Sequence, residues 1–354
     1  MPIINPDLYN LSASSAAMNI KTGYSLRQLN SFGMDVYAKY FSSFCSAPEL
    51  KNLLREYPDE KTLILGGGTN LLFTTNYDGL VLKNEISGIE QISEDEEHVY
   101  LRVGAGENWH EFVLYCVDQN LGGVENLALI PGNAGASPMQ NIGAYGVEIR
   151  DVFHQLEAYH IGDEEIRVFN LEDCEFGYRE SVFKGKYKDQ FVILNVSFRL
   201  KKIPVINTRY GAISAELENM NVETVDIRAV ANAVMNIRRS KLPDPRETGN
   251  AGSFFKNPTI PLGQFLELKK ANPAIIGYPA AEDKIKLAAG WLIEQCGWKG
   301  YREGDAGCHP RQALVLVNYG NASGEEILAL SDKIRLSVLE NFGVNLEREV
   351  NIIR

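Results

Sequence analysis

Nowhere does the sequence hold about 18 consecutive apolar residues, the length a membrane-crossing helix needs, so membrane insertion is not expected. It has no C-x-x-C pair either. Its cysteines, Cys45, Cys116, Cys174, Cys296 and Cys308, are odd in number and widely spaced. That argues against a metal site, a redox pair or a disulfide framework, and for free thiols in a reducing compartment. Cationic excess is missing too: 35 Lys and Arg stand against 46 Asp and Glu, a net charge of −11. Nucleic acid is therefore not an expected partner, because phosphate contacts need clustered cations. The opening MPIINPDLYNLSASSAAMNI lacks a basic start and an apolar core, so no secretory signal is expected and a cytoplasmic protein is. What remains is ordinary: 354 residues, 45% hydrophobic and 23% charged, enough for two or three packed domains.

Local patterning predicts mixed elements. Residues 1–24 are polar and aperiodic, an N-terminal extension. Ser46-Ala47-Pro48 opens a helix with Leu50, Leu53 and Leu54 on one face, and Asn108 caps another with Trp109, Phe112, Val113, Cys116 and Val117 inward. Strands are expected at 62–65, 80–82, 99–103, 155–161, 167–170 and 191–200. The composition changes at Lys201–Pro204, placed as a domain boundary. Beyond it come a helix carrying Ile227, Val230, Ala231, Val234 and Met235, a buried helix at Leu287–Ile293, and a strand at Ala313–Asn318. Ser323 and Glu326 form a capping box for a helix stopped by Gly343, and the chain ends on a strand-like 349–353. Strands gathered early, with a mixed second half, indicate an α+β fold.

Five segments carry chemical potential. Gly66-Gly67-Gly68-Thr69-Asn70 follows a strand. It lacks the Gly-Lys-Ser/Thr of a P-loop, and Leu71 stands where a dinucleotide fingerprint needs its third glycine, so the residues alone allow a tight turn or a phosphate cradle. Pro131–Gly146 is long, aperiodic and nearly uncharged; its neutral amides and hydroxyls suit a pyrophosphate. Phe176-Gly177-Tyr178-Arg179-Glu180 puts a guanidinium beside glycine and aromatics, which fits an anion site or an ion pair with Glu180 or Glu175. Ser253, in Gly249–Pro258, can be a nucleophile, a proton donor or a turn residue; Ala251 and Phe255 exclude a hydrolase elbow. Glu347 and Glu349 are two carboxylates near the C-terminus.

Taken in order, these segments resemble a known family. Asn30–Gly33, Ile64–Asn70, Gly104–Trp109, Asn126–Gly132, Gln140–Gly146, Phe176–Arg179, Lys241–Pro245, Gly249–Pro258 and Leu346–Val350 match the UDP-N-acetylenolpyruvoylglucosamine reductases over residues 25–354. Thr208-Arg209-Tyr210-Gly211 matches the family's first subtype. The resemblance implies an FAD-binding region of the vanillyl-alcohol-oxidase type at 25–203, in two subdomains at about 25–88 and 89–203. A C-terminal α+β substrate domain follows at 204–354, with its last strand returning to the active site. It implies FAD held non-covalently by Gly66, Gly67, Gly68, Thr69, Asn70, Leu71, Pro131, Gly132, Ala136, Ser137, Asn141, Gly143, Ala144, Gly146 and Arg238, and NADPH as co-substrate. Tyr178, Tyr210, Lys241, Asn257 and Gln312 would bind the UDP-sugar. In the implied reaction hydride passes from NADPH through the flavin to the terminal alkene carbon of the enolpyruvyl ether, Arg179 and Glu349 stabilise the resulting enolate, and Ser253 protonates it. No metal is implied.

Overall fold

The computed structural model describes residues 19–280 and 283–354. Helix ends follow the sequence chemistry. The Ser46 hydroxyl accepts from Glu49 N at 3.3 Å, Asn108 Oδ1 from Glu111 N at 3.1 Å, and Asp226 Oδ1 from Ala229 N at 2.7 Å. Ser323 and Glu326 cap each other reciprocally, and the helix Gly324–Phe342 ends at Gly343 with φ +61°. Each such cap is worth about 1 kcal/mol.

The first sheet has the strand order Lys21–Ser25, Tyr37–Phe44, Tyr77–Asn84, Thr62–Leu65. Tyr77–Asn84 is parallel to both neighbours. The second sheet is five-stranded and antiparallel: Glu165–Asn170, Phe153–His160, Phe191–Lys201, His98–Gly104, Ile89–Glu94. A third runs Gly249–Ser253, Val315–Asn318, Ala306–Cys308, Arg302–Glu303, and a fourth Thr259–Pro261, Lys284–Leu287, Gly277–Pro279. The last strand, Asn351–Ile353, lies parallel to Leu71–Phe73, the strand that leaves the triple-glycine loop. That pairing carries the C-terminus back to the N-terminal third of the chain.

Three hydrophobic clusters join these layers. Phe44, Leu50, Leu80 and Leu82 of the first sheet and its helix pack on Tyr159, Val192 and Leu194 of the second. Phe32, Phe73 and Tyr77 share a core with Phe254, Leu292 and Ile334 of the C-terminal part. Val103, Phe112 and Phe198 pack with Ile213, Val230 and Val234. Burying each such side chain contributes about 1.5–3 kcal/mol.

Three expectations change. Within the expected extension, Lys21–Ser25 is a strand paired antiparallel with Tyr37–Phe41, and Tyr24 stacks on Phe41 at 4.2 Å; residues 1–18 lie outside the described residues. A five-residue edge strand is too short for its alternation to stand out. The composition change at 201–204 is not where the packing changes, because helices Gly211–Asn219 and Ile227–Lys241 bury Ile213, Val230 and Val234 in the core of the second sheet. The expected helix at 287–293 divides into a strand, Lys284–Leu287, and a helix, Ala289–Gln295; a short apolar run has no period to separate the two.

Candidate active site

Two glycine-bearing segments meet edge to edge. Gly68 has φ +63°, and a Cβ there would lie 1.9 Å from the Leu29 carbonyl oxygen. A Cβ on Gly67 would sit 2.7 Å from Asn133 Oδ1 and 2.9 Å from Gly132 Cα, so this glycine lets the two segments touch. The Pro131–Gly146 side is anchored from behind: Asn133 Nδ2 donates to the Gly106 carbonyl at 2.5 Å, Trp109 N to Gly132 O at 3.0 Å, and Gly135 N to Ala105 O at 3.0 Å. The backbone N–H groups of Gly67, Gly68, Thr69 and Asn70 meet no acceptor among the described residues. A run of neutral, unpaired amides, at a seam where Gly67 and Gly68 leave no room for a Cβ, fits a pyrophosphate.

The implied cofactor residues do not all face this cradle. Pro131, Ala136 and Gly146 are exposed, and Gly132, Gly143, Ala144 and Leu71 half-buried. Ser137 and Asn141 are buried with their side chains engaged within the protein. Ser137 Oγ donates to Ala134 O at 2.7 Å, and Asn141 Nδ2 to Glu148 Oε2 at 2.8 Å and Gly177 O at 3.1 Å. These two shape the segment from inside. Arg238 Nε donates to the Leu129 carbonyl at 3.1 Å, and burial lowers its pKa. The amide of the same Leu129, which has φ +59°, donates to His110 Nδ1 at 3.0 Å, so the chain entering Pro131 is gripped on both sides.

Beside the cradle, Arg179 Nε lies 2.8 Å from Glu349 Oε1, and Arg179 Nη2 donates to the Gly143 carbonyl at 2.8 Å. The Nε–H is not aimed at the carboxylate, so this contact is a charge pair rather than a linear hydrogen bond. Arg179 holds φ +57°, a conformation that costs about 1–3 kcal/mol in a residue with a side chain and persists only where the surroundings enforce it. Burial pushes the Glu349 carboxyl above its usual range, against the pull of Arg179 and Lys184. Gln140 Nε2 reaches Glu349 Oε1 at 3.3 Å, and Asn70 Nδ2 reaches both Gln140 Oε1 at 3.0 Å and Glu349 O at 3.3 Å. Asn70 thus links the glycine loop to the acid. Ser253 ends the strand Gly249–Ser253, and the carbonyl of the next residue, Phe254, accepts from Glu349 N at 2.8 Å. Three remote segments therefore converge at one place.

The expected substrate residues fall into two groups. Tyr178 has Lys286 Nζ 3.8 Å above its ring and borders a cavity of about 320 Å³ that Asn257 also lines. Asn257 Oδ1 accepts from Ala289 N at 3.0 Å, and Gln312 lies against Gly290 on the same helix turn. Tyr210 is exposed on the other side and meets Tyr145 edge-on at 5.2 Å. Lys241 is exposed at the end of its helix. Gln140, Lys184 and Lys256 are site neighbours that sequence reasoning did not single out. A lone Gln or Lys carries no local pattern that separates it from a solvated side chain.

The two sheets, the amide cradle and the closing C-terminal part define an FAD-binding protein of the vanillyl-alcohol-oxidase fold type. Residues 44–170 match the FAD binding domain family, and residues 244–353 match the family described as UDP-N-acetylenolpyruvoylglucosamine reductase, C-terminal domain. A UDP-N-acetylenolpyruvoylglucosamine reductase of Flavobacterium johnsoniae is 50% identical over 337 residues, covering 95% of this chain and 100% of that one. The chain belongs to the UDP-N-acetylenolpyruvoylglucosamine reductase family. Among solved structures, the reductase of that name from Thermus caldophilus aligns with TM-score 0.66 at 23% identity, over 95% of this chain and 100% of that one. A 6-hydroxy-D-nicotine oxidase from Arthrobacter nicotinovorans aligns with TM-score 0.53 at 13% identity, over 94% of this chain and 88% of that one, a likeness of fold alone. Among the described residues, no helix is long and apolar enough to cross a membrane.

Proposed function

We infer that the chain is an FAD- and NADPH-dependent oxidoreductase that reduces UDP-N-acetylglucosamine enolpyruvate to UDP-N-acetylmuramate in peptidoglycan precursor synthesis. It acts in the cytoplasm, with the nucleotide sugar and NADPH as its small-molecule partners. The observation that supports the site assignment is the Arg179–Glu349 pair, held through Asn70 against the glycine loop. When bound, without a covalent bond, FAD would supply the hydride, drawn from NADPH, that the substrate double bond accepts.

The chain's own residues do the rest. Gly66–Leu71 and the Pro131–Gly146 segment would hold the pyrophosphate by backbone amides, with Arg238 fixing the entry to the second segment. As the terminal alkene carbon gains hydride, negative charge moves toward the substrate carboxylate. Arg179, oriented by Gly143 O and Glu349, faces that charge; a fixed donor so aimed contributes about 2.7–4 kcal/mol. Glu349 polarises or protonates the carboxylate side. Ser253 gives the proton to the neighbouring carbon, so hydride and proton add across the double bond. A serine hydroxyl is a weak acid in water, but an enolate carbon is basic enough to take its proton within hydrogen-bond reach. Lys241, Asn257 and Gln312 hold the diphosphate region, Tyr178 binds the UDP-sugar, and Tyr210 covers it. In domain terms, the two N-terminal sheets, with the helices Gly211–Asn219 and Ile227–Lys241 packed on the second, carry the cofactor, and the C-terminal part closes over the substrate and returns Glu349 just ahead of its last strand.

The test is an anaerobic half-reaction pair. The yellow protein should release flavin on denaturation, lose colour with NADPH, and regain it with the enolpyruvyl nucleotide. Bleaching without recovery would point to an oxidase of the same fold.

A further inference from the structure

Lys256 is 7% exposed, yet it sits in a polar neighbourhood. Its Nζ lies 2.6 Å from Glu180 Oε1 and 2.5 Å from Glu347 Oε1, and its backbone N–H donates to Glu347 O at 2.9 Å. The positions of these partners matter. Glu180 directly follows Arg179, Glu347 precedes Glu349 by one intervening residue, and Lys256 itself lies just beyond Ser253 and Phe254–Phe255. One buried ammonium is thus bonded to a neighbour of each of two assigned residues and shares a segment with the third. We propose that Lys256 is a positioning residue for the reductase reaction, holding the turn of Arg179, the segment of Ser253 and the approach to Glu349 in one geometry. The proposal rests on the assignment of those three residues given above.

Two physical points favour this role. Burial pulls the Lys256 pKa down, but the ion pairs with Glu180 and Glu347 outweigh it and raise it above the usual lysine value. The two carboxylates keep 50% and 71% of their side-chain surface in solvent, so the tie is not needed to satisfy buried acids. It constrains geometry instead. Its charge also reaches the acid: Glu349 faces the cations Arg179, Lys184 and Lys256, with Tyr178, Glu180 and Glu347 as the other titratable groups around it. Lys184 supports the same turn by donating from Nζ to the Arg179 carbonyl at 3.2 Å.

The experiment is Lys256→Met in the holoenzyme, which keeps the buried stem and removes the charge. Flavin content and reduction by NADPH should stay within about twofold of the wild type. Reoxidation by the enolpyruvyl nucleotide should slow by about 10- to 100-fold, the range expected when a reacting group is displaced by an ångström or so. The pH inflection of that half-reaction that Glu349→Gln abolishes should move to higher pH, because one cation that favours the carboxylate is gone. Lys256→Arg should restore most of the rate. Should Lys256→Met not fold, the Glu180→Ala, Glu347→Ala double variant removes both acceptors at exposed side chains and should slow the same half-reaction. A wild-type reoxidation rate with an unmoved inflection overturns the proposal. So does a rise in KM alone, which would make Lys256 a substrate contact. Equal loss of both half-reactions with loss of flavin would make it merely structural and also overturns it. If Glu349→Gln leaves rate and pH profile untouched, the assignment of Glu349 fails by itself, and the Lys256→Met reoxidation rate still decides the role of Lys256.

Discussion

Adding one methyl group at Gly67 probes the cofactor cradle directly. The new Cβ would stand 2.7 Å from Asn133 Oδ1 and 2.9 Å from Gly132 Cα, well inside van der Waals contact. Neither neighbour can yield freely. Asn133 is held by its bond to the Gly106 carbonyl, and Gly132 by the Trp109 amide. The two segments must therefore part, which moves the amides of Gly67–Asn70 away from their common ligand. Overpacking of this kind costs about 1–3 kcal/mol. Expressed at the cofactor, it weakens FAD binding by about 5- to 150-fold. Gly66→Ala is the internal control, because a Cβ there finds nothing nearer than Asn133 Cβ at 3.9 Å. The assay is titration of apoprotein with FAD, followed by flavin fluorescence, for both variants. Equal affinity in Gly67→Ala and Gly66→Ala would mean that the pyrophosphate does not lie between these segments.

Ser253→Ala should leave flavin reduction by NADPH intact and slow reoxidation by the enolpyruvyl nucleotide by about 100- to 10,000-fold, read by stopped-flow absorbance; unchanged turnover removes Ser253 from the mechanism. Tyr210→Phe should raise the KM for the nucleotide sugar by about three- to tenfold and leave flavin content alone; a loss confined to flavin content would put that loop on the cofactor instead. Burial pushes the Glu125 carboxyl above its usual range, so the folded state holds its proton more tightly than the unfolded state does. Its stabilising share is complete below the unfolded pKa and fades as pH rises through the higher folded one. Glu125→Gln keeps an acceptor for the Gly123 amide, now 2.6 Å from Glu125 Oε2, so in urea unfolding the variant should gain on the wild type as pH rises above the usual glutamate range; a constant difference would refute this.

Much of the fold was legible where a residue's chemistry acts locally. Ser46, Asn108 and the Ser323–Glu326 pair cap the helices they were expected to cap, because a side-chain oxygen next to free amides needs no tertiary partner. Legibility failed where packing decides. Val230 and Val234 give a clear apolar helix face, but nothing in the sequence says that this face lies on Phe112 and Phe198 rather than on the C-terminal sheets. The case for Arg179, Ser253 and Glu349 rests on the order of several motifs, since each alone is an ordinary residue. Lys256 escaped because its meaning lies in two partners at positions 180 and 347, a separation no local pattern spans.

The placement of the last strand explains why so much of the site comes from remote segments. Asn351 N donates to the Asn70 carbonyl at 3.1 Å, and Asn351 Nδ2 reaches the same oxygen at 3.0 Å. The Asn70 side chain meanwhile holds Gln140 and the Glu349 carbonyl. One asparagine at the end of the glycine loop is therefore shared by the cofactor cradle, the long aperiodic segment and the C-terminal acid. The glycine loop and the Pro131–Gly146 segment meet each other through contacts within residues 29–135, whereas Glu349 is set beside Arg179 by the pairing of the final strand with Leu71–Phe73. The acid therefore depends for its place on a strand pairing that joins the end of the chain to the glycine loop.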